Sequence, residues 1–245
     1  MSYINQFKLI HAITEHKDGW LNYKELLSTV NRQQIMKKLQ KSNPGLKGIS
    51  DFFITEEPIE DENWLKLPER DKKKIARLNA KIKKSKNLHS VIADLLKYKL
   101  KYPDVPPIYN YLGIAYNRAD QQKEFYRILL ETREKFPDYV FGKISMAEYY
   151  LSIDRHKKIP DILDHKFEIT QHFPVGTEAF HISAVRGFYY VIGMYFIRAG
   201  KAELAYKSYF LLSDLDIDNQ STQILGNEII GHEIKALKRS TDNYR

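Results

Sequence analysis

Two prolines set the frame of this chain. "KYPD" at 101–104 and "KFPD" at 135–138 place Pro103 and Pro137 34 residues apart. A self-similar period of that length is the mark of stacked helical units, none of which can bury its apolar face alone. The unit that the prolines bracket contains "YNYLGIAY", Tyr109 to Tyr116, an aromatic helical stretch with Gly113 at its centre. A glycine inside a helix costs about 1 kcal/mol against alanine, so packing has to offset it. The same order returns in "YYVIGMYF", Tyr189 to Phe196, around Gly193.

These residues resemble the tetratricopeptide-repeat family, whose 34-residue unit carries Trp-x2-Leu-Gly-x2-Tyr on its first helix and a proline near its end. In residues 106–139, Tyr109, Leu112, Gly113 and Tyr116 fill that signature and Pro137 closes the unit, while Phe125 and Thr132 stand where the family usually has alanine. In residues 186–219, Tyr189, Ile192, Gly193 and Phe196 fill it, followed by Ala205 and Tyr209; Leu212 replaces the second alanine and Ile217 the proline. Upstream, 72–105 reads as a degenerate copy with Asn79 at the glycine position. A further copy starts near 140 with Met146, Ala147 and Tyr150 and ends late, at Pro174. The resemblance covers residues 72–219 and implies an all-α fold, a right-handed helical-hairpin solenoid. Gly113 and Gly193 are expected at points of close approach between the two helices of a hairpin.

Other segments frame this array. Tyr3, Phe7, Ile10 and Ile13 have helical spacing, and Asn22 with Glu25 resembles a capping box before a second helix. "NPG" at 43–45 stops it, residues 46–68 lack a helical period, and "ISDFFI" reads as a short strand or tether. The expected division is therefore a mainly helical N-terminal unit, 1–68, and the solenoid with a capping helix, 69–245. The frames start at 72, 106, 140 and 186, so the last interval exceeds the period. "TEAFHISAVRGFYYVIGMYFIRAG" is expected to be one long helix capped by Thr177 and overhanging its neighbours by about two turns. Ser221 is the expected cap of the final helix.

Composition narrows the function. The chain has 245 residues, 43% of them apolar and 29% charged, and no cysteine, so no thiolate chemistry or disulfide is available. No apolar run approaches a membrane span, and no signal peptide is legible; a cytoplasmic setting is expected. Walker, Gly-x-Gly-x-x-Gly, His-Glu-x-x-His and Gly-x-Ser-x-Gly motifs are missing, so no enzyme and no cofactor are expected. "DLDIDN" at 214–219 starts like a calcium loop but lacks its glycine and twelfth-position glutamate. His165, His172 and His181 would form a metal site only by converging, and separate histidines are the expectation.

What remains is binding. In the family, first helices line a concave groove. Carried over, its residues here are Lys73, Ala76, Ala80, Lys83 and Lys84, then Pro107, Asn110, Ile114, Asn117 and Arg118, then, in less regular register, Phe141, Ile144, Glu148, Leu151 and Ser152, and finally Tyr190, Met194, Ile197 and Arg198. Lys83, Lys84, Arg118 and Arg198 recur near one edge, implying a basic rim suited to an acidic peptide or partner helix. Ordinary solvation of exposed helix faces accounts for the same cations. The family's carboxylate clamp is not expected, because Ala76, Ala80 and Tyr111 stand at its positions. The basic character is local: residues 66–101 hold 13 Lys or Arg against three acids. A nucleic-acid-binding regulator, using the N-terminal unit and the basic 72–86 helix, is the alternative. Against it, that helix has a normal buried stripe and no aromatic to stack on bases. Self-association through the long helix is a weaker alternative.

Overall fold

The computed structural model describes residues 3, 4, 9, 23–42, 52–57 and 61–242. These residues are predominantly α-helical, with a single two-stranded sheet among them, Phe53–Thr55 beside Ala179–His181. The helix expected over residues 3–16, the Asn22 cap and the "NPG" stop lie, for the most part, outside the described residues. Contacts divide the chain into two compact units, one of Met1–Phe53, Phe167–Gln171 and Val185–Arg245, the other of Ile54–Lys166 and His172–Ala184. The division therefore does not run at residue 68. Helices Tyr23–Ser28 and Arg32–Ser42 have to cover Leu26, Leu27, Ile35 and Leu39, and they do so against Gln220–Asp242 and Ala202–Asp216.

The unit of Ile54–Lys166 and His172–Ala184 is built on two regular hairpins. Helix Glu69–Lys84 buries Ile75, Leu78 and Ile82 and carries acids in its first turn and lysines in its last, which complements its dipole. It packs on His89–Lys101 and on Pro106–Arg118; Pro106–Arg118 packs in turn on Gln122–Lys135 and on Val140–Ser152. Pro106 opens its helix at a position where its missing N–H costs nothing.

The 34-residue period is written into the backbone of this unit. Tyr102, before Pro103, has φ −129° and ψ 67°; Phe136, before Pro137, has φ −131° and ψ 67°. The amide of each closes its helix onto the carbonyl four residues back, Tyr98 and Thr132. A residue preceding proline is barred from the helical region, so the helix must end there. At the other turn of the hairpin, Asp120 and Asp154 both take the left-handed conformation. The amides of Gln121 and Arg155 donate to the carbonyls of Tyr116 and Tyr150, a Schellman closure in both.

The register fails in two places. After Val140–Ser152 no regular second helix follows. The chain breaks into a 3-10 turn at His156–Lys158, a single helical turn at Ile159–Ile162 and another 3-10 turn at Ile169–His172. Pro160 lies within the short turn, and Asp164 and His165 are both left-handed, so a helix cannot propagate. The long helix also begins later than expected. Thr177 caps nothing; its hydroxyl donates to the carbonyl of Pro174, and the Ala179–His181 strand precedes a helix of Ile182–Arg198. At 17 residues it exceeds the 13-residue Pro106–Arg118 helix by about one turn, not two.

The other unit holds a third hairpin, Ile182–Arg198 (from Val185 on) with Ala202–Asp216, followed by Gln220–Asp242. Gly200, with φ 72°, ends the first of these helices, and the Lys201 amide donates to Phe196 in the same Schellman closure. The cap of the last helix is Asn219, not Ser221: its side chain accepts from the Ser221 amide.

Candidate binding surfaces

The repeat signature is structural. Tyr109, Leu112, Gly113 and Tyr116 are buried. The Tyr109 hydroxyl donates to the carbonyl of Pro103 at 2.7 Å, and its ring meets Phe136 edge-on at 5.1 Å. The signature tyrosine thus clamps the proline turns at both ends of its own repeat. Gly193 sits at a close approach, though the tightest contact is with the following helix and not with its hairpin partner: a Cβ there would lie 2.6 Å from Leu225 of Gln220–Asp242 and 3.0 Å from Ser208 of Ala202–Asp216. Gly113 does not. A Cβ there would meet Ile128, Phe125 and Leu129 only at ordinary distances of 3.8–3.9 Å. Phe125 is one of the three side chains of the facing helix that bound this space.

The candidate groove residues divide between the two units. Lys83 and Lys84 are exposed in the last turn of Glu69–Lys84. On Pro106–Arg118, which packs against it, Ile114, Asn117 and Arg118 are exposed and Asn110 is half-buried. On Val140–Ser152, Glu148 and Ser152 are exposed and Phe141 half-buried, whereas Ile144 and Leu151 are buried. Glu148 keeps solvent-exposed surface, yet enough protein surrounds it that burial pushes its carboxyl up to about 7. Tyr111 and Tyr139, half-buried in the same unit, are likewise raised by burial.

Tyr190, Met194, Ile197 and Arg198 belong to the other unit. Met194 and Ile197 are buried, so they present nothing to a partner. Arg198 lies 3.9 Å from Glu228. The sequence pattern places Met194 by analogy with Ile114, but a helix longer and more apolar than its counterparts is enclosed on more than one face.

A second surface was only half visible in the sequence. Arg70, Lys74, Arg77 and Lys81 follow each other at intervals of four, three and four, and so fall within an arc of about 60° on Glu69–Lys84. They line a cleft of 690 Å³ whose other wall is His89–Lys101, through Asp94, Lys97, Tyr98 and Lys101. Lys97 pairs with Asp94 at 2.9 Å and Lys101 with Asp71 at 2.7 Å. The Lys101 ammonium and the Tyr102 hydroxyl hold Asp71 below the usual carboxylate range. The basic helix carries no aromatic of its own, but the fold sets Tyr98 into the same cleft, stacked on Tyr102 with ring centroids 6.3 Å apart.

Several other polar groups are engaged elsewhere. Lys207, buried, pairs with Glu168, which also accepts from the Tyr189 hydroxyl at 3.1 Å. Glu203 takes hydrogen bonds from Lys38 and Tyr3, which hold its carboxyl down to about 2. The carboxylates of "DLDIDN" are in ion pairs, Asp214 with Arg32, Asp216 with Arg186 and Asp218 with Lys24. His165 faces Asp161 at 3.4 Å, His172 contacts the carbonyl of Lys166, and His181 accepts from the Ser183 amide. Among the described residues no group of three such side chains could hold a metal ion, and no helix is long and apolar enough to cross a membrane. Comparison with protein-family models, with curated proteins and with solved structures found no match.

Proposed function

We propose that this chain is a non-catalytic protein-interaction scaffold of tetratricopeptide-like hairpins that binds an acidic peptide or partner helix. One observation carries the reading. Helices Glu69–Lys84 and Pro106–Arg118 pack together, and both expose the positions that flank a buried signature stripe. The set combines an exposed apolar contact, Ile114, with side-chain amides at half-buried Asn110 and exposed Asn117 and exposed cations at Lys83, Lys84 and Arg118. Apolar area drives association, amides fix the register of an extended or helical ligand, and a cationic rim selects acidic sequences and speeds encounter. The recurrence of one helix ending at Asp120, Asp154 and Gly200 supports the repeat reading on which the groove positions depend.

The test is selection from a display library of random peptides on the immobilised full chain. Enrichment of sequences with two or more acidic residues beside an apolar anchor is expected. Failure to enrich any peptide, or enrichment of basic ones, contradicts the proposal.

A further inference from the structure

We propose that the cleft between Glu69–Lys84 and His89–Lys101 binds single-stranded nucleic acid through its phosphates. On the basic helix Lys83 lies on the far side from this row while Lys84 borders it, so Lys83 is the groove cation that tells the two surfaces apart.

Three observations carry this. First, the cations form a row. Arg70, Lys74, Arg77 and Lys81 lie about 4.5–6 Å apart along the helix axis, from the rise per residue. A row of that length suits a polymer with a charge on every unit better than a small anion, which one or two of the four would satisfy. Second, the row is uncompensated. The acids in the cleft, Asp71 and Asp94, are engaged by Lys101 and Lys97, and none of the four row residues makes an ion pair among the described residues. Four like charges on one helix face repel one another, a cost that a bound polyanion removes. Third, the chemistry suits phosphate and base together. Two of the four cations are arginines, whose planar forks match phosphate oxygens, and Tyr98 gives the cleft an aromatic ring beside the row. The concave shape admits a strand, whereas a lipid surface is too flat to enter it. An acidic protein helix would satisfy the charges but makes no use of the ring.

Fluorescence anisotropy of a labelled 20-nucleotide single strand against the full chain tests this. Expected is binding at low salt whose logarithm falls with log salt at a slope of about −3, the value for four neutralised phosphates on a single strand. Arg70→Glu with Lys74→Glu, and separately Arg77→Gln with Lys81→Gln, should each weaken it about tenfold or more. Lys83→Glu should change it less than about twofold. Circular dichroism confirms that each variant is folded. Absence of binding at low salt overturns the proposal. So does binding lost only with Lys83, equal competition by polyglutamate, or tighter binding to vesicles containing anionic lipid than to the oligonucleotide.

Discussion

Asp120 and Asp154 stand 34 residues apart and share a left-handed backbone with φ of 54°. Each closes its helix with the same pair of hydrogen bonds, and Gly200 repeats the arrangement in the other unit. Glycine takes this conformation freely, while other residues pay a steric cost. Asp154→Gly is therefore expected to stabilise the chain by up to about 1 kcal/mol, and Gly200→Ala to destabilise it by about 1 kcal/mol. Urea denaturation midpoints of the two variants check the pair of opposite signs.

The two signature glycines should part company in the same way. Alanine at Gly113 meets only ordinary contacts, so Gly113→Ala should stabilise the helix by about 0.5–1 kcal/mol. Alanine at Gly193 collides with the buried side chain of Leu225 and crowds Ser208, so Gly193→Ala should cost about 1–3 kcal/mol. If the collision is the cause, combining Gly193→Ala with Leu225→Ala should cost less than the sum of the single changes. A double-mutant cycle by thermal denaturation measures that coupling.

Lys207 lies buried against Glu168. Removing the cation leaves a carboxylate with little access to water, so Lys207→Met should destabilise by about 3 kcal/mol or more. Tyr189→Phe, which removes one hydroxyl donor to the same carboxylate, should cost nearer 1 kcal/mol. Equal losses in the two variants would deny the charge pair its dominant role.

Glu148 gives the candidate groove a pH signature. Burial pushes its carboxyl from the ordinary 4.5 to about 7. Between these values the folded chain holds a proton that the unfolded chain has released. Stability from this group therefore falls as pH rises from about 4.5 to about 7 and is level above. Glu148→Gln should remove that slope and leave the variant more stable than the parent at pH 8. Denaturation midpoints at pH 5 and pH 8 are the readout.

The hairpins were legible in the sequence because their ends are local events. Pro103 and Pro137 bar the residues before them from the helix, and that constraint needs no tertiary partner. Gly193 was legible as a packing glycine for its flanking aromatics; Gly113 has the same flanks, but Phe125, Ile128 and Leu129 on the facing helix set its surroundings. The irregular stretch after Ser152 was hidden because Pro160 falls at a permissible first-turn position and Asp164 and His165 give no plain sign of a left-handed backbone. The basic row could have been found from its spacing alone. Tyr98 could not, since only the pairing of two helices brings it to the row.

The most direct measurement on the proposed function is a calorimetric titration of a display-selected acidic peptide into three proteins. These are the parent, Lys83→Glu with Lys84→Glu and Arg118→Glu, and the cleft variant Arg70→Glu with Lys74→Glu. Expected is a loss of about tenfold or more in affinity for the first variant and a change within about twofold for the second. An affinity unchanged by the first variant, or lost only in the second, contradicts the assignment of the peptide to the groove of Glu69–Lys84 and Pro106–Arg118.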